Sequence, residues 1–195
     1  MTKKKENLHW LVESAIMIAI ATILNDLLSI ESPWGFGGSI TIGSMVPLII
    51  IAHRYGTGRG LVTSLVFALI QMLIGLDNVM YGETFWQVVA IILLDYVVAY
   101  GVAGFGAIFD KVIKNRAVSV GVGAAFVVAL RFICHFLSGW IIWDAMWPNE
   151  QGLAGPVYSL IYNAGYMVPE LIITTVIAVV LYFPLKKYYN GEDLK

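Results

Sequence analysis

Long apolar runs separated by short polar connectors dominate this chain of 195 residues. Hydrophobic residues make up 59% of it and charged residues only 13%, whereas soluble domains are nearer half apolar and a quarter charged. At roughly 20 residues per membrane-crossing helix, the length accommodates about six such helices with short loops. No large soluble domain fits in the remainder. The sequence therefore predicts an all-α membrane protein that forms a single domain, 1–195.

Six apolar segments are predicted to form a compact bundle of transmembrane helices. They cover residues 8–28, 40–53, 61–76, 85–109, 117–143 and 157–183. The second segment is short and contains Pro47, so it is predicted to be a tilted or broken helix. Glycines and a proline predict a loop at 29–39, and glycines predict a turn at 54–60.

Basic residues are confined to alternate connectors. Eleven of the twelve Lys and Arg residues lie at the two termini, between spans two and three, or between spans four and five. The other connectors contain acidic residues and no basic ones. Because cytoplasmic loops are enriched in Lys and Arg, both termini are predicted to be cytoplasmic. An acidic outer face would favour a cationic solute, although topology alone explains the absence of basic residues there equally well.

The fifth span carries a polar stripe. Arg131, His135, Gly139 and Trp143 follow one another at intervals of four residues, which places them near one helix face. Polar residues inside a membrane helix usually face a cavity or a partner rather than lipid. In the fourth span, Asp95 lies between apolar residues, and it could pair with Arg131 or line the same cavity.

The sixth span carries a matching aromatic stripe. Tyr158, Tyr162 and Tyr166 are also spaced by four residues, with Asn163 beside them. These side chains could converge with Trp34 from the first outer loop, although a belt at the membrane surface would also explain Tyr158. Aromatic rings around a carboxylate suit a flat, cationic heteroaromatic molecule, because the rings add stacking and cation–π attraction. A largely apolar pocket with a few polar groups is the usual small-molecule site.

Four segments together resemble the thiamine-specific substrate-binding subunits, or S components, of energy-coupling factor transporters. They are RFICHFLSGWIIW at 131–143, YSLIYNAGYMVPE at 158–170, LDY at 94–96 and PWGFGGSITIGSMVPL at 33–48. The resemblance covers essentially the whole chain. It implies a six-helix protein in the cell membrane of a prokaryote that binds thiamine from outside with high affinity.

The resemblance also implies a set of binding residues. Asp95 stands where the family carries a carboxylate, and Arg131 stands where it carries a basic residue. Gly139 would leave room for a ring of the ligand, and Trp34 would cover the pocket. The implied thiamine-binding residues are Trp34, Asp95, Tyr96, Arg131, His135, Gly139, Trp143, Tyr158, Tyr162 and Asn163.

The same resemblance implies partner proteins. An S component docks on a separate membrane coupling subunit that carries two ATPase subunits. Ala15 and Ala19 form a small-xxx-small pair in the first span, which would let a helix of the coupling subunit approach closely. Lipid surrounds the spans, and no cofactor, metal or nucleic acid is predicted.

Three other functions share part of this pattern. An S component for another vitamin or for a thiamine precursor would use a similar pocket, and so would a small multidrug exporter of aromatic cations. A membrane-embedded enzyme is disfavoured, because the sequence contains no HExxH motif and no GxSxG motif. It also lacks paired carboxylates four residues apart within one span.

Overall fold

The structure is a computed structural model that describes residues 3–32 and 38–194, and most of these residues are helical. The helices are α1 (Lys3–Asp26), α2 (Val46–Tyr55), α3 (Thr57–Ile74), α4 (Leu76–Met80), α5 (Phe85–Ala107), α6 (Arg116–Met146), α7 (Gly155–Tyr182) and α8 (Lys186–Tyr189). The strands β1 (Ser29–Glu31) and β2 (Ser39–Thr41) pair in antiparallel fashion. A short 3-10 turn, Glu192–Leu194, follows α8.

Within the described residues, five helices are long and apolar enough to cross a membrane. They are α1, α3, α5, α6 and α7. Their bounds lie close to those of the predicted spans 8–28, 61–76, 85–109, 117–143 and 157–183. By length and composition, the chain is therefore a multi-pass membrane protein.

The predicted second span, 40–53, is not a single helix. Ile40 belongs to β2, and α2 begins only at Val46. Pro47 lies in the first turn of α2, where a missing N–H leaves no helical hydrogen bond unmade. The ten residues of α2 extend over about 15 Å, whereas the hydrocarbon core of a bilayer is roughly 30 Å thick. The structure thus does not confirm six membrane-crossing helices.

Helix α2 instead forms the centre of the bundle. Nine of its ten residues are buried, and Leu48, Ile49 and Ile51 have no exposed surface. A helix that is apolar all round belongs in a protein interior, and α2 packs there against α1, α3 and α5.

The predicted turn at 54–60 is much shorter than expected. Only Gly56, with a φ of 88°, separates α2 from α3.

Glycines bring α5 into backbone contact with its two neighbours. A Cβ atom at Gly104 of α5 would lie 2.4 Å from the Cα atom of Leu61 in α3. A Cβ atom at Gly123 of α6 would lie 1.9 Å from the carbonyl oxygen of Gly106 in α5. Small residues permit such close helix packing in membranes, and no larger side chain fits here unless the backbones move apart.

Basic connectors gather at one end of the bundle, here called the basic end, around Arg54. Its guanidinium donates to Glu13 of α1 at 2.7 and 3.0 Å and to Asp193 at 2.6 and 2.8 Å. It also donates to the carbonyl oxygen of Tyr188 at 2.9 Å. The first half of α1, the end of α2 and the C-terminal tail therefore lie together. That this end is cytoplasmic remains a prediction.

Asp110 organises a second cluster at the basic end. Its carboxylate lies 3.0 Å from Nδ1 of His53 and accepts a hydrogen bond from Ser119 at 2.8 Å. It also pairs with Arg116 at 2.5 Å. Burial acts to raise the pKa of Asp110, but the hydrogen bonds and the Arg116 charge outweigh burial and lower the pKa. The ionised carboxylate thus ties the α5–α6 connector to α2.

Substitution of Gly123 by alanine should destabilise the bundle by about 2 kcal/mol or more, since the added methyl group forces α5 and α6 apart. Thermal unfolding in detergent measures this loss. Gly58→Ala is the matched control, because a Cβ atom there meets nothing within 4 Å. An unfolding temperature of the Gly123 variant equal to that of the control would contradict the close packing of α5 and α6.

Candidate functional site

A cavity of about 620 Å³ lies at the end of the bundle opposite the basic end. Its walls come from the start of β2, helix α4, the middle of α5, the second half of α6 and the first half of α7. Ligand pockets typically measure 300–1,000 Å³. The cavity therefore has the size of a small-molecule site.

Nine of the ten predicted site residues line this cavity. The nine are Asp95, Tyr96, Arg131, His135, Gly139, Trp143, Tyr158, Tyr162 and Asn163. The tenth, Trp34, lies outside the described residues. The four-residue spacing in α6 and α7 thus identified two cavity walls, and Tyr158 belongs to one of them.

Two π-helical turns shape the cavity walls. One covers Ile92–Val97 in α5, and the other covers Gly139–Trp143 in α6. Such turns are rare and occur often at functional sites. Their wider hydrogen-bond spacing brings Asp95 and Tyr100, five residues apart, to the same cavity. The α-helical period predicts no such coincidence.

Asp95 lies at the centre of the hydrogen bonds in the cavity. Its Oδ2 atom accepts hydrogen bonds from Ser138 Oγ at 2.8 Å and from Trp143 Nε1 at 3.0 Å. Its Oδ1 atom lies 3.3 Å from Nδ1 of His135. Within 3–32 and 38–194, no Lys or Arg pairs with Asp95. The carboxylate is thus oriented by neutral donors and a histidine, and its charge is available to a cationic ligand.

His135 offers a second polar contact. An ionised carboxylate can only accept hydrogen bonds, so the Nδ1 atom that faces Asp95 carries a proton. In the neutral imidazole, Nε2 is then an acceptor. This atom is buried and has no hydrogen-bond partner in the part of the chain that the structure describes. A donor group on a ligand could form a hydrogen bond with this atom.

Arg131 pairs with Glu170 and not with Asp95. Its Nη1 atom donates to Oε1 of Glu170, and Nη2 donates to the hydroxyl of Tyr100 at 3.3 Å. The guanidinium also lies 4.6 Å from the ring centre of Tyr100. The suggested pairing of Arg131 with Asp95 is therefore wrong.

Two groups of aromatic rings line the cavity. On α7, the rings of Tyr158 and Tyr162 are stacked with their centres 6.1 Å apart, and Tyr166 meets Tyr162 edge-on at 5.7 Å. Near the end of α6, Trp143 stacks on Trp147, the residue that follows the helix, with their ring centres 5.5 Å apart. Flat apolar surfaces of this kind suit a planar aromatic ligand.

Gly139 and Asn163 join α6 to α7. A Cβ atom at Gly139 would lie 2.4 Å from Oγ of Ser159, so that hydroxyl occupies the space expected for a ligand ring. The Nδ2 atom of Asn163 donates to the carbonyl oxygens of Ser159 at 2.8 Å and His135 at 3.3 Å. Its Oδ1 atom accepts a hydrogen bond from Tyr166. The Asn163 amide is therefore largely occupied by protein groups.

Tyr96, which was predicted to bind the ligand, also forms hydrogen bonds that hold helices together. Its hydroxyl donates to the carbonyl oxygen of Gly75 at 2.8 Å and accepts a hydrogen bond from Asn78 at 3.3 Å. These two bonds hold α5 against the corner between α3 and α4. The ring of Tyr96 lines the cavity while its hydroxyl fixes the wall behind it.

Several site residues were absent from the sequence-based set. Ser138 follows His135 by three residues and thus shares its helix face, and Glu170 continues the four-residue series of Tyr158, Tyr162 and Tyr166. Both signals are present in the sequence. Tyr100 follows the predicted Tyr96 by four residues, so the same kind of signal was present for it as well.

The fold and the cavity define a class of protein. It is a multi-pass helical membrane protein with a cavity of small-molecule size at one end of its bundle, lined by aromatic rings and by the Asp95 carboxylate. Comparison with known proteins identifies the family within that class to which the chain belongs.

A family model described as "Thiamine transporter protein (Thia_YuaJ)" matches residues 11–190. The chain belongs to this thiamine transporter family, which confirms the resemblance seen in the sequence. It is 34% identical over 191 residues to the thiamine transporter ThiT of Bacillus subtilis (strain 168), covering 93% of this chain and 94% of that protein. Relatives named as transporters indicate transport rather than catalysis.

A solved structure of ThiT from Listeria monocytogenes has the same fold. The two structures match with a TM-score of 0.74 at 22% sequence identity, over 94% of this chain and 98% of that one. The helical fold of this chain is therefore one that a solved structure also has.

Substitution of Gly139 by alanine should lower the unfolding temperature, because the methyl group meets Ser159 and separates α6 from α7. The double variant Gly139→Ala/Ser159→Ala should recover most of the loss, since it removes the hydroxyl that the methyl group would meet. Thermal unfolding of both variants beside Ser159→Ala alone makes the comparison. Equal losses in the single Gly139 variant and the double variant would show that this contact is not the cause.

Proposed function

We propose that this chain captures thiamine from outside a prokaryotic cell and is the substrate-binding subunit of an energy-coupling factor importer. The observation that carries the proposal is the Asp95 carboxylate, which is held by donors and has no Lys or Arg partner among the described residues. It lies in a cavity with aromatic walls. Membership of the thiamine transporter family supports the same ligand.

The chemistry of thiamine suits each of these features. Its thiazolium ring carries a permanent positive charge, which Asp95 would neutralise. Its two flat rings would stack against the tyrosines of α7 and the Trp143–Trp147 pair, at roughly 0.5–2 kcal/mol for each cation–π contact. The amino group of its pyrimidine ring would donate to Nε2 of His135, the acceptor without a protein partner.

The position of the cavity supports capture from outside. The cavity lies at the end of the bundle away from Arg54 and the other basic connectors. Because Lys and Arg are enriched on the cytoplasmic side of membrane proteins, the basic end faces the cytoplasm and the cavity faces outward. Thiamine would thus enter from the medium without crossing the bundle.

Energy for import must come from a partner in this proposal. The sequence contains no GxxxxGK[ST] motif for nucleotide binding. Helix α1 buries only Ser14, Ile18 and Ala21 within the chain, while Ala15 and Ala19 are exposed on its outer face. A small-residue face of this kind would let a helix of the membrane coupling subunit approach closely. Two ATPase subunits on the coupling subunit would then drive transport.

Substitution of Asp95 by asparagine should weaken thiamine binding by more than tenfold, or roughly 1.4 kcal/mol, because the ligand cation loses its counter-charge. Calorimetric titration of the protein in detergent measures the affinity. Asp77→Asn is the matched control, an exposed acid in α4 that does not line the cavity. A folded Asp95 variant with unchanged affinity would remove Asp95 from the site. Riboflavin and a quaternary drug cation, titrated in parallel, test the other vitamin and exporter alternatives.

Substitution of Ala15 by tryptophan should abolish thiamine uptake and leave thiamine binding intact, because the bulky ring keeps the coupling subunit from α1. Uptake is measured in cells that also produce the coupling subunit and its ATPases. Val176→Trp, at an exposed position of α7, controls for the effect of a bulky residue on the outer surface. Normal uptake by the Ala15 variant would rule out this docking surface.

A further inference from the structure

Glu170 is a charged residue that lies behind the cavity wall rather than in it. It has no exposed surface, and it does not line the cavity. Its Oε1 atom accepts a hydrogen bond from Arg131, which does line the cavity and is 5% exposed. Glu170 can therefore influence a ligand in the cavity only indirectly, through the charge and position of Arg131.

Arg131 is the only Lys or Arg that the described residues contribute to the cavity wall, beside the acids Asp95 and Asp144. Buried charges interact strongly because the surrounding dielectric constant is low. A guanidinium without a counter-charge would offset Asp95, repel a cation and attract a phosphate, which Arg binds well. The negative charge of Glu170 cancels most of the electrostatic effect that Arg131 would have on a ligand in the cavity.

The Arg131–Glu170 pair is also incompletely hydrogen-bonded. Nε of Arg131 and Oε2 of Glu170 are buried without a partner among the described residues. A buried ion pair with unmet hydrogen bonds adds little stability compared with apolar residues of similar volume. Its effect on the charge of the cavity is, in contrast, direct.

We propose that Glu170 is a positioning residue that determines specificity. By neutralising Arg131 and holding its guanidinium against Tyr100, Glu170 makes the cavity accept a cationic ring system and reject phosphorylated forms of the same molecule. The proposal rests on the proposed binding of thiamine. It goes further by assigning the selection against phosphate esters to a residue outside the cavity wall.

The experiment measures the dissociation constants of thiamine and thiamine monophosphate for the wild-type protein and for E170Q. Glutamine keeps the size and a hydrogen-bond acceptor but removes the charge. The preference for thiamine over its monophosphate should fall by roughly tenfold in E170Q, because Arg131 then repels the cation and attracts the phosphate. E83Q, at an exposed acid before α5, should keep the wild-type preference.

The double variant R131Q/E170Q separates charge from structure. If Glu170 acts by neutralising Arg131, removing both charges should return the preference to within about threefold of wild type, a tenfold step being 1.4 kcal/mol. A structural tie between α6 and α7 would instead weaken both ligands together. This variant has no unpaired buried charge at this position, so it tests the proposal even if E170Q does not fold.

Two results would overturn the proposal. One is a folded E170Q protein with the wild-type ratio of dissociation constants. The other is a double variant whose ratio differs from wild type by tenfold or more. A wild-type protein that binds neither ligand would instead refute the proposed thiamine function, so the two failures are distinguishable.

Discussion

A charge inside a membrane protein has to be paired or hydrogen-bonded, because lipid offers neither water nor counter-ions. Arg54 at the basic end meets this requirement with Glu13 and Asp193. Arg131 meets it with Glu170. Asp95 differs from both, since its carboxylate is held by Ser138, Trp143 and His135 and by no Lys or Arg among the described residues. The bundle thus pairs its buried arginines internally and leaves the Asp95 carboxylate at the cavity without such a partner among the described residues.

Rigid packing in the centre of the bundle keeps the Asp95 carboxylate in place. Helix α2 is too short to cross a bilayer and is buried on all sides, so it acts as a core for the longer helices around it. Glycines at 104 and 123 bring the backbones of α3, α5 and α6 into contact on the same level. Towards the cavity, α5 and α6 change to π turns. Tight packing in the centre and locally widened helices towards this end together shape the cavity.

Much of the cavity could be predicted because residues on one face of a helix recur at a known interval. The stripe from Arg131 to Trp143 and the tyrosines of α7 both proved to be walls of one cavity. Pairings between helices could not be predicted in this way. The sequence suggested Asp95 as a partner of Arg131, and only the packing of α6 against α7 selects Glu170. The space beside Gly139 was predicted to hold a ring of the ligand, because the sequence does not reveal how α7 packs against α6. In the structure, Ser159 of α7 fills that space.

The sequence by itself determined that this chain is a helical membrane protein, where most of its spans lie and which family it resembles, because hydropathy and helical period are local properties of the chain. The tertiary structure alone decided that residues 40–53 contain a strand and a short core helix, that α5 and α6 contain π turns, and which acid neutralises Arg131. These features depend on contacts between segments far apart in the chain, where several partners of similar chemistry compete and only the three-dimensional packing selects among them.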